Sequence, residues 1–557
     1  MKYSKLADTY QRLESTQKTL EKTDILAELF QTSGEDLNHT VLLARGKIYP
    51  DWDERDIGMS SRMTQDVIAE ATGYSKEKVE ELWKDKGDLG LAAEELVKNK
   101  KQQKLMATTL TVEKVIQRLR KVAEMSKDGS SQSVSQDKKK KEIADLISSA
   151  EPIEARYITR TVLSHLRIGI GEGTIRDALV EAFFDGEHKE KIQKAYDFTN
   201  DFTEVAEACT KGIEEVEELE LKLFRPVNSM LAKKVDTIEE GFEEVGNPAV
   251  IDYKYDGMRA QIHVKDGEVR VFTRRLENIT KQFPDVVEKV EEHIEAENCI
   301  LDTEIVGYNP EDGSMIEFQK LSKRIKRKYN IQKQVEDIPV EVRPFDLIYL
   351  EEPILEERYA DRLEKLKEII DEEEKELRLV DSEITGDEEK VQEMQQKSLS
   401  QGHEGIMMKS IDAEYKPGNR VGYMVKLKPV METLDLAIIA AKWSEGERAG
   451  WLGRLFLGCY NQKTGEYEEV GKMATGLTEE QLQEITDRLE PLIEREKGRK
   501  VFVKPEIIVE AEYEEIQQSP TYSSGYALRF PRLKSFRDDK EEADSKEKIQ
   551  NLYEDQK

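Results

Sequence analysis

The apolar positions in the first part of the chain recur at the spacing of α-helices. Leu6, Tyr10 and Leu13 fall on one face of a predicted helix, and residues 154–166 show a second clear helical pattern. The alternation of apolar and polar positions that is typical of strands is scarce here. The pattern therefore predicts an all-α domain over residues 1–225.

Two glycine-rich breaks interrupt this helical pattern. Residues 129–133 predict a loop with a helix on each side. Residues 169–173 end the preceding helix, and Thr174 to Asp177 have the spacing of a capping box that opens the next one. The glycines do not form a dinucleotide-binding loop, because no strand precedes them and the G-x-G-x-x-G spacing fails at Thr174. The second break is predicted to be a helix-turn-helix-like elbow.

The pattern changes near residue 226 to β-rich alternation, which a highly charged helical stretch interrupts near residues 356–400. This mixture predicts an α/β domain over residues 226–429. A second β-rich segment predicts a small all-β barrel over residues 430–557, with a charged tail that frays beyond Asp538. The strands expected in this barrel are residues 436–441, 453–460 and 507–513.

Composition limits the class of protein. A chain of 557 residues is too long for one core, and no apolar run approaches the roughly 20 residues of a membrane span. The sequence starts without the apolar stretch of a secretory signal, so we expect a soluble, multidomain, cytoplasmic protein. Cys209, Cys299 and Cys459 are widely spaced, so neither a disulfide framework nor a structural zinc site is expected.

The net charge of −30 has the wrong sign for a general nucleic-acid binder, so any DNA contact must be local. Basic runs at residues 138–141 and 323–328 are candidates, although runs of this kind are more often solvated faces. One hypothesis for the acidic excess is a salty cytosol, in which charge repulsion is screened.

Residues 250–259 contain the first candidate chemistry. Asp266 and Gly267 separate two alternating runs and predict a two-residue hairpin turn. In that register Arg259 lies directly opposite Arg274, and two facing cations destabilise a sheet unless an anion lies between them. A phosphate would satisfy both arginines, and the alternative is that both side chains splay into solvent.

Lys254, just before this hairpin, is a candidate nucleophile, although an ordinary surface lysine would fit the same spacing. A lysine nucleophile must lose a proton, and neighbouring cations favour the neutral amine. Lys426 and Lys428 are two positions apart in a predicted strand, so both are expected to point to one face. They are the candidates for those neighbouring cations.

Acidic and aromatic residues occur in or beside apolar strands. Asp302 and Glu304 share one strand face and could bind a ribose hydroxyl, a magnesium ion or a lysine, or form a structural ion pair. Glu404 adds another acid beside an apolar strand. Phe345 could stack on a purine or belong to the core.

Together these residues resemble the ATP-dependent DNA ligases of the archaeal type, over nearly the whole chain. Residues 254–259, KYDGMR, match the signature K-x-D-G-x-R, which implies that Lys254 forms a lysine-AMP intermediate. The resemblance also implies nucleotide contacts from Asp252, Arg259, Arg274, Glu304, Phe345, Arg420, Lys426 and Lys428, and metal roles for Asp302, Glu304 and Glu404.

Further motifs carry the resemblance. Residues 302–306, DTEIV, resemble the third family motif, with Glu304 at a ribose or metal position. Phe345 matches the aromatic residue that stacks on adenine. Residues 404–409, EGIMMK, resemble E-G-x-M-x-K, and residues 426–428, KLK, match K-x-K.

The remaining chain fits the same family. Residues 527–532, ALRFPR, and 537–540, RDDK, resemble the terminal motif. Its cations, including Arg529 and Arg532, orient the leaving pyrophosphate, and the motif implies an OB fold. The elbow is similar to the family's helical DNA-binding domain, where backbone amides and cations meet DNA phosphates. Residues 224–232 resemble the entry into the adenylation domain.

Two departures from the family pattern matter. Asp252 stands where many relatives carry Glu, and its shorter side chain makes the contact with adenine less secure. Residues 102–107, QQKLMA, lie where archaeal relatives can carry a clamp-binding peptide, but they lack its aromatic pair. A sliding clamp is therefore a candidate partner, and the only support for it in the sequence is this degenerate motif.

The resemblance implies a monomer with an all-α DNA-binding domain, an ATP-grasp-like α/β nucleotidyltransferase domain and an all-β OB-fold domain. It implies sealing of nicked double-stranded DNA in replication, recombination and repair, with ATP and Mg2+.

An RNA ligase or capping enzyme shares the lysine motif, but the helical first domain favours DNA. The absence of a cysteine-rich zinc module disfavours an NAD-dependent ligase. A noncatalytic scaffold that binds DNA ends is the alternative from another class. The sequence leaves open whether ADP, GTP or NAD replaces ATP.

Overall fold

The chain divides into two compact units, Met1–Lys428 and Pro429–Lys557. Within the described residues, no helix has the length and apolar character needed to cross a membrane. The candidate clamp-binding residues 102–107 lie outside the described part of the chain. The computed structural model describes residues 1–53, 55–100, 109–125, 132–325, 330–418, 420–428, 432–444, 448, 450–474 and 477–555.

The first part of unit Met1–Lys428 is helical, as the periodicity predicts. Its described residues up to Glu217 form helices and no strand longer than an isolated bridge. The helices are α1 (Tyr3–Glu14), α2 (Thr19–Gln31), α3 (Leu37–Ala44), α4 (Ser61–Thr72), α5 (Lys76–Lys86), α6 (Leu89–Lys98), α7 (Val112–Glu124), α8 (Gln132–Ser148), α9 (Pro152–Val162), α10 (Glu172–Phe184), α11 (Lys189–Thr199), α12 (Phe202–Lys211) and α13 (Ile213–Glu217).

Local sequence explains where several of these helices begin. The two helices predicted around the first glycine-rich break are present as α7 and α8, but α8 begins at Gln132, inside the loop predicted at residues 129–133. Residues 126–131 lie outside the described part of the chain. The capping box predicted at Thr174 is wrong: α10 begins after Gly171 without a side-chain cap, and Thr174 already lies in its first turn. A reciprocal cap forms instead at α9, where the Glu154 side chain accepts a hydrogen bond of 2.9 Å from the Glu151 amide.

The rest of this unit contains two sheets with helices between their strands. Four strands of one sheet have the order β11-β10-β2-β9 and are antiparallel, and β1 adds to β11 in parallel. The other sheet has the order β4-β3-β5-β7-β8, with β6 paired to β5. The strands are β1 (Leu231–Val235), β2 (Ala249–Tyr253), β3 (Met258–Lys265), β4 (Glu268–Thr273), β5 (Asn298–Tyr308), β6 (Met315–Ile316), β7 (Val340–Leu350), β8 (Glu352–Pro353), β9 (Ser382–Thr385), β10 (Ile406–Ser410) and β11 (Arg420–Leu427), and the helices are α14 (Ile238–Val245), α15 (Pro284–His293), α16 (Phe318–Ile325), α17 (Ile331–Asp337), α18 (Tyr359–Glu368) and α19 (Glu388–Ser400).

Alternation along β3 decides which side chains are free for chemistry. Met258, Ala260 and Ile262 enter the core of the six-stranded sheet. Because successive strand residues point to opposite faces, Arg259 and Gln261 project from the other face. Arg259, a predicted nucleotide contact, therefore lies on the face of the sheet that points away from this core.

The hairpin predicted between β3 and β4 is confirmed, with Lys265 opposite Glu268. The ladder ends one step before Arg259 and Arg274, so the expected cross-strand pair of arginines does not form. Arg259 lies opposite Glu304 of β5 instead. The register of the hairpin could be predicted from its turn, but the pairing of β3 with β5 could not.

The charged stretch near residues 356–400 is only partly helical. It contains α18 and α19, but the edge strand β9 lies between them and pairs with β2. Thr385 of β9 is buried, while Ile384 beside it is 52% exposed. Pairing with a preformed neighbour explains a strand in a stretch whose composition favours helix.

Unit Pro429–Lys557 is built around a seven-stranded sheet, and the strands predicted at 436–441, 453–460 and 507–513 are confirmed. The predicted fraying of the tail is wrong, because a helix forms there and buries Ile549 and Tyr553 in the core. The elements are β12 (Leu434–Trp443), β13 (Leu452–Asn461), β14 (Glu466–Met473), α20 (Glu479–Leu489), β15 (Ile493–Lys497), β16 (Lys500–Val503), β17 (Ile508–Glu512), β18 (Glu515–Gln518), β19 (Tyr526–Arg529), β20 (Arg532–Phe536) and α21 (Lys546–Asp555).

Candidate active site

The ends of three neighbouring strands meet at Lys254. Lys254 follows β2, Glu404 precedes β10 and Lys428 follows β11, and β10 lies antiparallel between the other two strands. The Lys254 amide donates to the Gly405 carbonyl oxygen over 2.9 Å, and the Glu404 amide donates to the Lys254 carbonyl oxygen over 2.8 Å. These backbone bonds fix the two side chains beside each other.

Glu404 binds two ammonium groups through one oxygen. Its Oε2 forms an ion pair with Lys254 Nζ, and Lys428 Nζ lies 2.9 Å from the same atom. Burial alone would raise the pKa of Glu404, but the charges and hydrogen bonds of Lys254 and Lys428 lower it to about 2. The Lys254 side chain is 22% exposed, so a ligand can reach it. The expected cation beside Lys254 is therefore present in Lys428, with Glu404 as their shared counter-charge.

Glu304 reaches the same place from the six-stranded sheet. Burial raises the pKa of Glu304 to about 8, despite the attraction of Lys254 and Arg259. Among the described residues, no hydrogen bond or ion pair engages its carboxyl group. Gly257 lies against it, because a Cβ atom there would be 2.8 Å from Glu304 Cγ and 2.7 Å from the Ile305 carbonyl oxygen. Glu304 is thus a carboxyl group held ready for a ligand.

Arg259 and Asp302 form a buried bidentate ion pair. Arg259 Nε donates to Oδ1 over 3.0 Å and Nη2 donates to Oδ2 over 2.6 Å. The Tyr415 hydroxyl donates to Oδ2 over 2.7 Å, and Arg259 Nη1 donates to the Met230 carbonyl oxygen over 2.7 Å. Both oxygens of Asp302 are engaged, so its side chain is the structural ion pair that the sequence left open. Arg259 needs no phosphate between itself and Arg274 for its charge to be balanced.

A second buried acid, Asp252, pairs with Lys409, whose ammonium group also lies over the Phe345 ring. Asp252 is 2% exposed and its Oδ2 lies 2.6 Å from Lys409 Nζ. Burial raises the pKa of Asp252, although Lys409 opposes the rise. Lys409 donates to the Tyr359 hydroxyl over 3.0 Å, and its Nζ lies 4.7 Å from the centre of the Phe345 ring. Lys409 and Tyr359 are not among the residues predicted for the site, although Lys409 is the last residue of the EGIMMK motif.

The remaining predicted residues of this unit lie at strand ends. Arg274 follows β4 directly, and Lys426 in β11 lies opposite Met407 of β10. Lys428 lies just beyond the end of β11. Arg420 begins β11, and its side chain lies outside the described residues.

The predicted cations of the terminal motif belong to unit Pro429–Lys557. Arg529 ends β19 and Arg532 begins β20. Arg537 Nη1 donates to both oxygens of Asp435 over 2.9 and 3.1 Å, and Lys540 forms an ion pair with the same carboxylate. Asp435 is 7% exposed and was not singled out from the sequence. It holds the two cations of the RDDK motif together.

The elbow before α10 is fixed by a buried lysine. Lys22 is 4% exposed, and its Nζ donates to the carbonyl oxygens of Ile168 and Gly169 over 2.9 and 3.0 Å. Gly169 has φ 62°, and a Cβ atom there would collide with Lys22 Nζ. Arg45 Nη2 lies 2.9 Å from Glu172 at the first residue of α10. The glycine and the lysine together define the turn.

The two basic runs are partly structural. Lys139 is 4% exposed and donates to the Ile57 carbonyl oxygen over 2.8 Å. Arg324 is 1% exposed and its Nη1 donates to Asp285 over 3.0 Å. Residues 326–328 of the second run lie outside the described residues. For Lys139 and Arg324, a buried structural role explains the charge.

The chain matches three protein-family models in the predicted domain order. The model described as DNA ligase N terminus matches residues 2–180. The ATP dependent DNA ligase domain matches residues 229–428, and the ATP dependent DNA ligase C terminal region matches residues 448–540. The helical, α/β and β-rich parts of the structure correspond to this order.

Curated archaeal relatives are similar over their whole length. The DNA ligase of Nanoarchaeum equitans is 42% identical over 565 residues, which cover 100% of this chain and 98% of the relative. The DNA ligase of Methanopyrus kandleri is 41% identical over 560 residues, with 100% and 99% covered. The solved structure "Pmar-Lig_Pre." shares the fold, with a TM-score of 0.61 and 16% identity over 96% of this chain and 99% of that one. The chain belongs to the ATP-dependent DNA ligase family.

Proposed function

We propose that this ATP-dependent DNA ligase seals nicks in double-stranded DNA through an AMP group carried on Lys254. The neutral Lys254 Nζ attacks the α-phosphorus of ATP, a P–N bond forms and pyrophosphate leaves. The AMP group then passes to the 5′-phosphate of the nick, and the amine of Lys254 is released. Finally the 3′-hydroxyl attacks that phosphate, the phosphodiester bond forms and AMP leaves.

The observation that carries this assignment is the placement of the Lys254 amine. It is partly exposed, fixed by backbone bonds on both sides, and bound to Glu404 together with Lys428. Glu304 of the other sheet is close enough to be influenced by its charge. Phosphoryl transfer depends mainly on positioning and on charge stabilisation, and both features are present around this one amine.

The charges around Lys254 assign roles to its neighbours. With a pKa of about 2, Glu404 is a poor proton acceptor at neutral pH, so we assign it the orientation of Lys254 rather than its deprotonation. Lys428 Nζ shares the carboxylate oxygen of Glu404 with Lys254 Nζ, so a second cation lies beside the amine. We assign Lys428 to the ATP phosphates, whose charge it would help to balance while Glu404 keeps Lys254 in place.

We assign the base and sugar of ATP to the six-stranded sheet. We assign the adenine to the aromatic face of Phe345, and the Lys409 ammonium group that lies over this ring pairs with the buried Asp252. Glu304 is available for a ribose hydroxyl or a metal ion. The remaining phosphate and nucleotide contacts are assigned to Arg259, Arg274, Arg420, Lys426 and Lys428.

The donor set also fits a magnesium ion. No group of three or more acidic, histidine or cysteine side chains is placed to hold a metal within the described ranges. Magnesium commonly uses one or two carboxylates and completes its shell with phosphate oxygens and water. We assign Glu304 and Glu404 to the ion, with Glu404 also the shared partner of Lys254 and Lys428. Both oxygens of Asp302 are engaged by Arg259 and Tyr415. A bound ion would neutralise charge on the ATP phosphates.

DNA contacts are assigned to the helical part of the chain. The elbow presents the N-terminus of α10, where backbone amides favour phosphate groups. Arg529 and Arg532 are assigned to the leaving pyrophosphate in the first step. We propose that the enzyme works as a monomer, which light scattering of the active enzyme on nicked DNA would test.

Transfer of label from ATP tests the central assignment. The full chain, incubated with α-labelled ATP and Mg2+, is expected to carry covalent label that withstands alkali and is released by warm acid, as a P–N bond requires. Peptide mapping is expected to place this label on Lys254. Lys254→Ala is expected to lose the label completely. Lys265→Ala removes an exposed lysine from the hairpin of β3 and is the matched control, so it is expected to label normally. Label that persists in Lys254→Ala would overturn the assignment.

Substrate comparison tests the second half of the proposal. Sealing of nicked DNA is expected to exceed sealing of the same nick in RNA, and pre-adenylated nicked DNA is expected to be sealed by Lys254→Ala without ATP. Equal or preferred sealing of RNA would favour the RNA ligase alternative. Assays with ADP, GTP and NAD in place of ATP then define which nucleotides charge the enzyme.

A further inference from the structure

Tyr415 stands at the centre of a buried hydrogen-bond network in the proposed ATP site. It precedes β11 and is 3% exposed. Its hydroxyl donates to Asp302 Oδ2 over 2.7 Å, and the Met230 amide and Arg259 Nη2 approach the same hydroxyl oxygen at 3.4 and 3.5 Å. A phenol has one hydrogen to donate and two lone pairs, so these three partners use its whole capacity.

We propose that Tyr415 is a positioning residue in the ATP site. Its hydroxyl group holds the Arg259 guanidinium in the orientation that contacts the nucleotide. The proposal rests on the proposed function of the Lys254 site. The hydroxyl donates a hydrogen bond to Asp302, and Asp302 accepts hydrogen bonds from two nitrogens of Arg259. It also fixes the Met230 amide, while the carbonyl oxygen of Met230 accepts a bond of 2.7 Å from Arg259 Nη1. Tyr415 therefore acts on both edges of one guanidinium.

The chemistry of the site explains why a hydroxyl is used. Burial and the charge of Asp302 raise the pKa of Tyr415, so the group keeps its hydrogen and remains a donor. A phenylalanine at this position would fill the same space but leave the Met230 amide without its acceptor. Asp302 would also lose one of three donors. The guanidinium would keep its charge partner but gain freedom to turn.

The matched control is Tyr423 in β11. Its hydroxyl is buried and has no hydrogen-bond partner among the described residues. Tyr423→Phe therefore removes the same atom as Tyr415→Phe without breaking a bond. Both substitutions keep the ring and its packing.

The test measures the rate of Lys254 labelling against ATP concentration in the full chain with Mg2+. Tyr415→Phe is expected to raise the apparent KM for ATP about tenfold, the loss of one hydrogen bond to a charged group, with the maximal rate within about twofold of the original. Tyr423→Phe is expected to keep the original KM. A smaller folded fraction lowers the maximal rate but leaves KM unchanged, so instability cannot imitate the expected result.

A double substitution separates positioning from general packing. In an Arg259→Lys background, Tyr415→Phe is expected to raise KM by less than about twofold, because its effect passes through Arg259. The inference is overturned by an unchanged KM in Tyr415→Phe, or by a tenfold rise that is the same in both backgrounds. Absence of label on Lys254 in the original chain would instead refute the proposed function, so the two failures are distinguishable.

Discussion

Lys254 and Glu404 are joined twice, by an ion pair between their side chains and by a hydrogen bond of 2.8 Å from the Glu404 amide to the Lys254 carbonyl oxygen. The second bond fixes the loop into β10 against the end of β2. The ion pair between the side chains therefore forms with a small further loss of conformational entropy. We therefore expect Glu404 to stabilise the fold as well as to orient the amine of Lys254.

Glu404→Gln is expected to destabilise the chain at neutral pH, because Lys254 and Lys428 lose their shared counter-charge. The folded pKa of Glu404, about 2, lies below its reference value of 4.5. Its contribution is therefore complete above pH 4.5 and is lost as the pH falls towards 2. The stability gap between variant and original should shrink by about 1 kcal/mol per pH unit below 4.5.

Chemical denaturation of both chains between pH 3 and 7 measures this gap. Glu268→Gln, at an exposed position of the hairpin, is the control and is expected to show a small gap at every pH. A Glu404→Gln gap that stays constant from pH 7 to pH 3 would contradict the ion-pair explanation.

Glu304→Gln is expected to gain stability relative to the original chain as the pH rises. Burial raises the folded pKa of Glu304 to about 8, above its reference value of 4.5. The protonated group is favourable below pH 4.5, and that contribution is lost as the pH rises towards 8. The relative gain of the variant between pH 5 and pH 8 should be on the order of 1 to 3 kcal/mol.

Denaturation at these two pH values, with and without Mg2+, measures the effect. If Glu304 helps to bind the cation, Mg2+ stabilises the ionised carboxylate in the original chain and reduces the gain of the variant. An effect of Mg2+ that is the same in both chains would remove Glu304 from the metal site.

Asp302→Asn is expected to cost about 3 to 5 kcal/mol of stability, because a buried guanidinium loses its charge partner. The Mg2+ concentration for half-maximal labelling of Lys254 is expected to stay within about twofold of the original, since both Asp302 oxygens are already bound to Arg259 and Tyr415. Urea denaturation and a Mg2+ titration of labelling measure the two quantities. A Mg2+ requirement that rises tenfold would restore Asp302 as a metal ligand.

The candidate residues around Lys254 could be identified from short motifs because they are close in sequence or lie at fixed strand offsets. Lys254 and Arg259 share one motif, and alternation places Asp302 and Glu304 on one face. Their partners could not be predicted in the same way. Tyr415 meets Asp302 only because the segment before β11 folds against β5, a contact over 113 residues.

Errors at the level of the fold have similar causes. Strand β9 forms because β2 offers an open edge, which the local composition does not reveal. Strands β3 and β4 alone predict opposed arginines, whereas the third strand, β5, supplies Asp302 as the charge partner of Arg259. The boundary placed at residues 225 and 226 stays a prediction.

Gly257→Ala is expected to slow labelling of Lys254 at least about tenfold, because the added Cβ would lie 2.7 Å from the Ile305 carbonyl oxygen and 2.8 Å from Glu304 Cγ. Strand β5 must shift or Glu304 must turn away from the site. Single-turnover labelling measures the change. Gly171→Ala adds a Cβ with nothing within 4 Å and is the control for labelling without DNA. Normal labelling by Gly257→Ala would show that the position of Glu304 is unimportant for the first step.

Ile549→Ala is expected to destabilise unit Pro429–Lys557 by about 2 to 5 kcal/mol, because Ile549 of α21 is fully buried in its core. The tail after Asp538 is strongly charged, yet Ile549 and Tyr553 are four positions apart and form one apolar helix face. Thermal melting of the two chains measures the loss. Asn551→Ala changes an exposed position of the same helix and is expected to melt like the original. Two results together would contradict this expectation: Ile549→Ala melts like the original, and limited proteolysis removes the tail without lowering the melting temperature. In that case α21 would not stabilise the fold, and the fraying predicted from composition would be correct.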